Sequence, residues 1–305
     1  MRRIAVFALL LCMFACSKKF DYDTSLEEAN RVMAKNTPKA VKILTRLIQT
    51  EPEDPRAYGL LGVIYYKTKQ YDKAAENFVM AVDFTKDYAE KKEVIGGIDQ
   101  LTSEFLSKEE SDHSEAARKA VQAGSPDEAI AELNKALELN SGNMGLYYGM
   151  GYAYSAKGDF KNAQKYFEEA RAINPLNLAT LKELAYVYSN QKNFDAGQKL
   201  LLETVRFHGS DPLVVHQLGI NYLRTGNGEP AEAALKKNIE LYPSFYLSYF
   251  TLGQYYYNNS RFDEARPLLE AVQKNFTEEY AAKMNLSLDV GAMRSMASQM
   301  LTNMK

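Results

Sequence analysis

The sequence predicts an all-α chain, a solenoid in which helix-turn-helix hairpins of one kind are stacked in tandem. Three observations carry this: apolar residues recur at helical spacing, short polar breaks interrupt them, and the pattern returns every 34 residues. The pattern is clearest from Met144 to Asn177. There Tyr147, Met150, Gly151 and Tyr154 share one face of a first helix. Lys157, Gly158 and Asp159 break it, and Phe160, Ala163, Phe167 and Ala170 form a second stripe. Pro175 closes the unit because proline cannot continue a helix. Gly151, Ala163 and Ala170 are small where the helices must approach, and the aromatics fill the remaining space. Neither helix can bury its apolar stripe alone, so such a unit must be repeated.

The repeats are present. A step of 34 residues leads to Leu181, Leu184, Ala185, Tyr188 and Phe194, and a second to Leu218, Gly219, Tyr222, Ala231, Leu235 and Pro243. A third step leads to Tyr249, Leu252, Gly253, Tyr256, Phe262, Ala265 and Leu269, and one step back gives Ala117, Ala120, Pro126, Ala129 and Leu133. This pattern of a large residue, Leu-Gly, Tyr, and later Ala, Phe, Ala and Pro resembles the tetratricopeptide repeat over residues 21–279. The resemblance implies a right-handed superhelical solenoid. The sequence departs from the pattern at Gly197, which replaces an alanine, at Asn238, where a small residue is expected, and at His113 and Ala116, which open their unit with little bulk.

Taken in order, residues 1–15 read as a leader: Arg2 and Arg3, then an apolar run from Ile4 to Ala15. A membrane span needs roughly 20 apolar residues, and this run is shorter. Ala15 before Cys16 resembles a lipobox, which implies lipidation of Cys16 and cleavage before it; an ordinary signal peptide is the competing reading. Cys12 leaves with the leader, so the mature chain has no disulfide and depends on its core. Residues 16–24 form a short tether. Ser17 after the lipidated cysteine favours, by resemblance, the outer membrane facing the periplasm. Residues 25–88 hold two amino-terminal repeats, the first degenerate as terminal repeats are. The register then slips: residues 89–109 carry Val94, Ile98, Leu101 and Phe105 on one face and read as an extra junction helix, with Asp87 to Glu90 as its capping box. Gly96 and Gly97 speak against one unbroken rod with the preceding helix. Five tandem repeats occupy 110–279, and 280–305 is expected to be one capping helix bearing Met284, Met293, Met296, Met300 and Met304. Those methionines read as packing on the last repeat, or as an adaptable docking strip.

The formal charge is −2, and loss of Arg2 and Arg3 leaves 35 basic against 39 acidic side chains, a net −4. That provides no basic footprint for nucleic acid. The three histidines, His113, His208 and His216, have no metal-ligand spacing, and no phosphate loop or nucleophile elbow is present. The expectation is a protein that is not an enzyme and has no metal or cofactor.

By the resemblance, the first helix of each hairpin lines a groove that takes a peptide or helix of a partner. Outside the packing slots these helices carry Tyr148 and Tyr152, then Lys182, Tyr186 and Asn190, then His216, Ile220 and Arg224, then Phe250, Gln254 and Asn258 with Tyr257 beside them. Tyrosine, asparagine and arginine combine apolar area with a polar handle, which suits such a surface. The carboxylate clamp of chaperone-binding relatives is not expected, because Lys182 is followed one turn later by Tyr186 and not by asparagine. The function expected is a lipid-anchored envelope scaffold or assembly factor for protein or peptide partners, with homodimerisation through terminal helices as a further option. The alternative is a surface-exposed ligand-binding lipoprotein for nutrient uptake, which would need a closed pocket of convergent polar groups.

Overall fold

The computed structural model describes residues 20–283 and 289–304, and these contain 17 helices and no strand. The lipidation residue Cys16, the leader and Met284 lie outside the described residues. Helices α1 (Phe20–Met33) and α2 (Thr37–Thr50) form a hairpin, as do α3 (Pro55–Lys67) and α4 (Tyr71–Phe84). A single helix α5 (Tyr88–Thr102) follows, then hairpins of α6 (Lys108–Gln122) with α7 (Pro126–Leu139) and α8 (Met144–Ala156) with α9 (Phe160–Ile173). Beyond them come α10 (Leu178–Asn190), α11 (Phe194–His208), and the hairpins α12 (Pro212–Arg224) with α13 (Gly228–Leu241) and α14 (Tyr246–Asn258) with α15 (Phe262–Asn275). Helices α16 (Glu278–Lys283) and α17 (Val290–Asn303) end the chain. The chain divides into two compact units between Gln191 and Lys192.

In four of the hairpins a glycine of the first helix faces a large residue of the second. A methyl group added to Gly151 would stand 2.6 Å from the Phe167 ring, and the same slot pairs Gly62 with Phe78, Gly219 with Leu235 and Gly253 with Leu269. No side chain fits there without moving the helices apart. The turn between the two helices requires one residue in the left-handed region at equivalent positions: Gly124, Gly158 and Gly226 supply it, but so do Lys69, Lys192 and Ser260 with φ of 60°, 58° and 59°. A residue with a Cβ pays about 1 kcal/mol for that backbone. Ser260→Gly should therefore stabilise the fold only slightly, by about 0.5 kcal/mol at most after the greater freedom of glycine in the unfolded chain is allowed for, which a small rise in the denaturant midpoint would register.

Three element boundaries differ from the sequence expectation. Residues 20–24, assigned to the tether, already belong to α1. Tyr22 is buried with the Arg56 guanidinium 5.1 Å from its ring centre, and Asp23 pairs with Arg56 at 2.6 Å, so the helix is held from its first turns. The junction helix spans Tyr88–Thr102, not 89–109. It is separated from α4 by Thr85 in extended conformation, is capped by Asp87, whose carboxylate accepts from the Glu90 N–H at 3.0 Å, and runs through Gly96 and Gly97. Val94, Ile98 and Leu101 are buried, whereas Phe105 lies past its end and is exposed, because Ser107 already starts α6 by accepting from the Glu110 N–H. The single terminal helix expected over 280–305 is interrupted: α17 has its own start at Asp289, which caps Ala292. Met300 and Met304 are buried, Met293 packs on the same cluster and Met296 is exposed.

Helix α5 is stitched into the first unit through asparagine pairs. Asp99 accepts from the side-chain amides of Asn174 and Asn177 at 2.7 and 3.0 Å, and the Thr102 hydroxyl accepts from Asn174 at 3.1 Å. One repeat earlier, the fully buried Glu110 accepts from the amides of Asn140 and Asn143 at 2.9 and 2.8 Å and from the Leu106 N–H at 2.7 Å. The Tyr66 hydroxyl donates to the Gly142 carbonyl at 3.0 Å, and Tyr66 and Tyr71 pack with Tyr147 and Tyr148 around Met144, Ala170 and Ile173. The junction thus packs against the loops α7–α8 and α9–α10, and each buried polar group there has a partner.

Candidate functional site

In the first unit the proposed surface residues lie on α8 and α10, which are in contact. Tyr148 and Tyr152 are one turn apart and stack, with ring centres at 6.4 Å and planes at 22°. Tyr148 is half-buried, backed by Phe167 at 5.8 Å, while Tyr152 is 45% exposed. On α10, Tyr186 is 49% exposed and meets the ring of Phe160 edge-on at 6.2 Å. Aromatic rings of this size normally bury most of their area, so two of them half exposed on neighbouring helices leave an uncovered aromatic patch. Lys182 is half-buried and engaged with neighbouring groups. Asn190 is exposed and donates its amide to the Tyr186 carbonyl at 2.9 Å.

Glu183 belongs to this surface and escaped the sequence reading, which followed positions at intervals of four along α10 and so passed from Lys182 to Tyr186. Its carboxylate is half-buried, and burial holds its pKa above the ordinary range against the opposing influence of Lys182. Burial first, and then the Glu183 charge, push the Tyr148 phenol up to about 12. The signal was there in principle: an acidic residue three positions before an aromatic on a helix shares its face.

In the second unit the same slots have a different fate. His216 is only 5% exposed and is not a surface residue. Its Nδ1 lies 3.3 Å from the Ser248 hydroxyl, which accepts from the Asn238 amide at 2.9 Å, and the Phe245 ring stands edge-on to the imidazole at 5.7 Å. Asn238, the departure from the repeat pattern, also donates to the Pro212 carbonyl at 2.8 Å. Burial pulls the His216 pKa down to about 4. Phe250 is likewise buried, in the cluster that holds Leu252, Tyr256, Val290, Ala297 and Met300. Helix α17 packs on α14 and α15, so the chain itself covers part of this face. Tyr257 is half-buried beside Phe262, and its hydroxyl accepts from the Asn303 amide at 3.4 Å. Arg224, Gln254 and Asn258 remain exposed, Arg224 with its guanidinium 5.8 Å from the Phe194 ring centre.

Family models described as tetratricopeptide repeat match residues 31–84, 155–218, 216–280 and 250–288, and one described as TPR repeat matches 119–158, so that together they span more than half of the chain. The chain belongs to the tetratricopeptide repeat family. The curated tetratricopeptide repeat protein 16 of Mus musculus is 24% identical over 154 residues, 50% of this chain and 19% of that protein. Its Homo sapiens counterpart is 24% identical over 136 residues, 45% of this chain and 14% of its own length. The chain thus spans less than a fifth of these relatives. Among solved structures, a MamA RS-1 double mutant aligns with a TM-score of 0.50 at 19% identity over 54% of this chain and 93% of that one. MamA residues 41 to the end from Desulfovibrio magneticus RS-1 align with a TM-score of 0.49 at 20% identity over 56% and 95%. These likenesses concern the tetratricopeptide fold. A scaffold of this family is suited to protein–protein interaction. Among the described residues no group of side chains is arranged to hold a metal ion, and no helix is long and apolar enough to cross a membrane.

Proposed function

We propose that this chain is a non-catalytic scaffold or assembly factor of the cell envelope, anchored through lipid on Cys16, that binds protein or peptide partners on the first helices of its repeats. The observation that carries the binding part is the pair of half-exposed rings, Tyr152 and Tyr186, on the contacting helices α8 and α10, with Tyr148 stacked beneath the first. Their area is available without any rearrangement, and tyrosine loses little conformational entropy when it is covered. Support for the anchor comes from Arg2 and Arg3, the short apolar run and the Ala15–Cys16 pair.

The double substitution Tyr152→Ala with Tyr186→Ala tests the binding part. Both rings are exposed, so the variant should keep its fold, with stability changed by about 1 kcal/mol or less. After mild crosslinking in living cells, envelope proteins identified with the parent should fall by at least tenfold with the variant. Recovery of the same proteins at the same level would reject the surface. For the anchor, Cys16→Ala should move the protein from the membrane to the soluble fraction, and unchanged membrane association would reject lipidation as its cause.

A further inference from the structure

The helices of the first unit have two ends that their contacts tell apart. At one edge α1, α3 and α5 begin. Asp23 in the first turns of α1 pairs at 2.6 Å with Arg56 at the start of α3, and Arg56 is also held at 2.7 Å by Asp54 in the loop before it. The Tyr58 hydroxyl donates to the Pro52 carbonyl at 3.0 Å, and the Tyr58 ring lies 5.4 Å from that of Phe84 at the end of α4. From there only Thr85 to Asp87 lead to Tyr88, the first residue of α5. At the opposite edge α3 ends, where Tyr66 donates to the Gly142 carbonyl, and so does α5, where Asp99 and Thr102 accept from Asn174. A helix of 13 residues such as α3 holds the two edges about 20 Å apart.

From Cys16 to Phe20 the chain makes four residue steps, which span about 14 Å at full stretch. That is less than the length of α3, so a lipid on Cys16 brings the edge where α1 starts to the bilayer and keeps the other edge away from it. The near edge carries Tyr88, 48% exposed. On the same edge Lys86, Lys91 and Lys92 meet Glu53, Asp87 and Glu90, so no positive field singles out anionic lipid. A tyrosine ring with its polar tip settles at the level of lipid headgroups without help from charge. We infer that this edge, with Tyr88 foremost, rests on the headgroups of the membrane that holds the lipid, so that the first unit stands with α3 and α5 pointing away from the bilayer. This rests on the reading of Cys16 as the anchor and adds the surface through which the folded chain itself meets lipid.

The chain contains no tryptophan, so Tyr88→Trp places a single indole on the near edge. Leu106→Trp places one on the far edge, where Leu106 is 65% exposed in the loop that follows α5. Both positions are exposed, so both lipidated proteins should unfold at the temperature of the parent. Each is reconstituted in phosphatidylcholine vesicles with and without a nitroxide on part of the headgroups, and the vesicles are floated before emission is read. The Tyr88→Trp protein should lose about half of its emission to the nitroxide, and the Leu106→Trp protein almost none. Added salt, or phosphatidylglycerol in place of part of the phosphatidylcholine, should leave that difference unchanged. In protein that floats, equal loss at the two positions or greater loss at Leu106 would overturn the edge and leave the anchor standing. Loss at Tyr88 that needs phosphatidylglycerol and vanishes in salt would overturn the ring as the contact. Protein with Cys16 intact that does not float would overturn the anchor and the edge together.

Discussion

Glu110→Ala should destabilise the first unit by about 3 kcal/mol, a larger effect than any single surface change. The side chain is fully buried and is the acceptor for three N–H groups, from Asn140, Asn143 and Leu106. Truncation leaves those donors facing a cavity, and each unsatisfied buried donor costs about 1 to 3 kcal/mol, part of which water entering the space recovers. The two asparagines also shape the α7–α8 turn, because Asn140 accepts from the Gly142 N–H and Asn143 caps α8 at the Gly145 N–H. Glu110→Gln keeps one acceptor and should lose roughly half as much. The neighbouring Glu109 is exposed, and Glu109→Ala should stay within about 0.5 kcal/mol of the parent. The measurement is the urea midpoint followed by a probe in the first unit. Equal midpoints for the two alanine variants would show that the buried carboxylate does not hold the loops.

The second unit should lose stability in mild acid through His216. In the unfolded chain an imidazole takes its proton near pH 6.5, while the buried ring resists until about 4. Between those values the unfolded state binds more protons, so stability is complete above pH 6.5 and declines as the pH falls towards 4. The full loss is on the order of 3 kcal/mol, from 1.36 kcal/mol for each unit of displacement. Protonation also makes Nδ1 a donor, which fixes the direction of its contact with the Ser248 hydroxyl 3.3 Å away. Asparagine at position 216 offers an acceptor without titrating. Hydrogen exchange of α12 to α14 should therefore accelerate from pH 6.5 to 4.5 in the parent and stay nearly level in His216→Asn, once intrinsic rates are divided out. Parallel behaviour of the two proteins would remove His216 as the cause.

The repeat was legible because its physics is periodic: Gly151 has to be small wherever Phe167 is large, and the same requirement recurs at Gly219 and Gly253. The exposure of the outer slots was less legible. Slots 148, 182, 216 and 250 are equivalent in register, yet they hold a half-buried ring, a half-buried lysine and two buried groups. What covers a slot comes from elsewhere in the chain. Ser248 and Asn238 enclose His216, and the terminal helix joins Phe250 in one cluster. A period cannot encode a neighbour that occurs once. The same applies to Asp99 and Glu110, two acidic residues that look solvated in sequence and gain their roles from asparagines 75 and 78 residues away for the first and 30 and 33 for the second. Glu183 was hidden for a simpler reason, since its neighbour Lys182 occupied the slot that was followed.

The asparagine pairs have a consequence for how the protein is made. A solenoid ordinarily settles repeat by repeat, each new hairpin closing on the one before it through contacts short in sequence. Asp99 and Thr102 instead await Asn174 and Asn177, which a ribosome or an export channel delivers more than 70 residues later. Until then Asp99 at the end of α5 lacks the two asparagine amides it accepts from, and the hairpin of α3 and α4 lacks the surface that Tyr66 and Tyr71 cover. The amino-terminal half is therefore born first and finished late. A nascent chain halted before residue 177 should remain open to proteases along α3 to α5, and become resistant over a few residues of further growth.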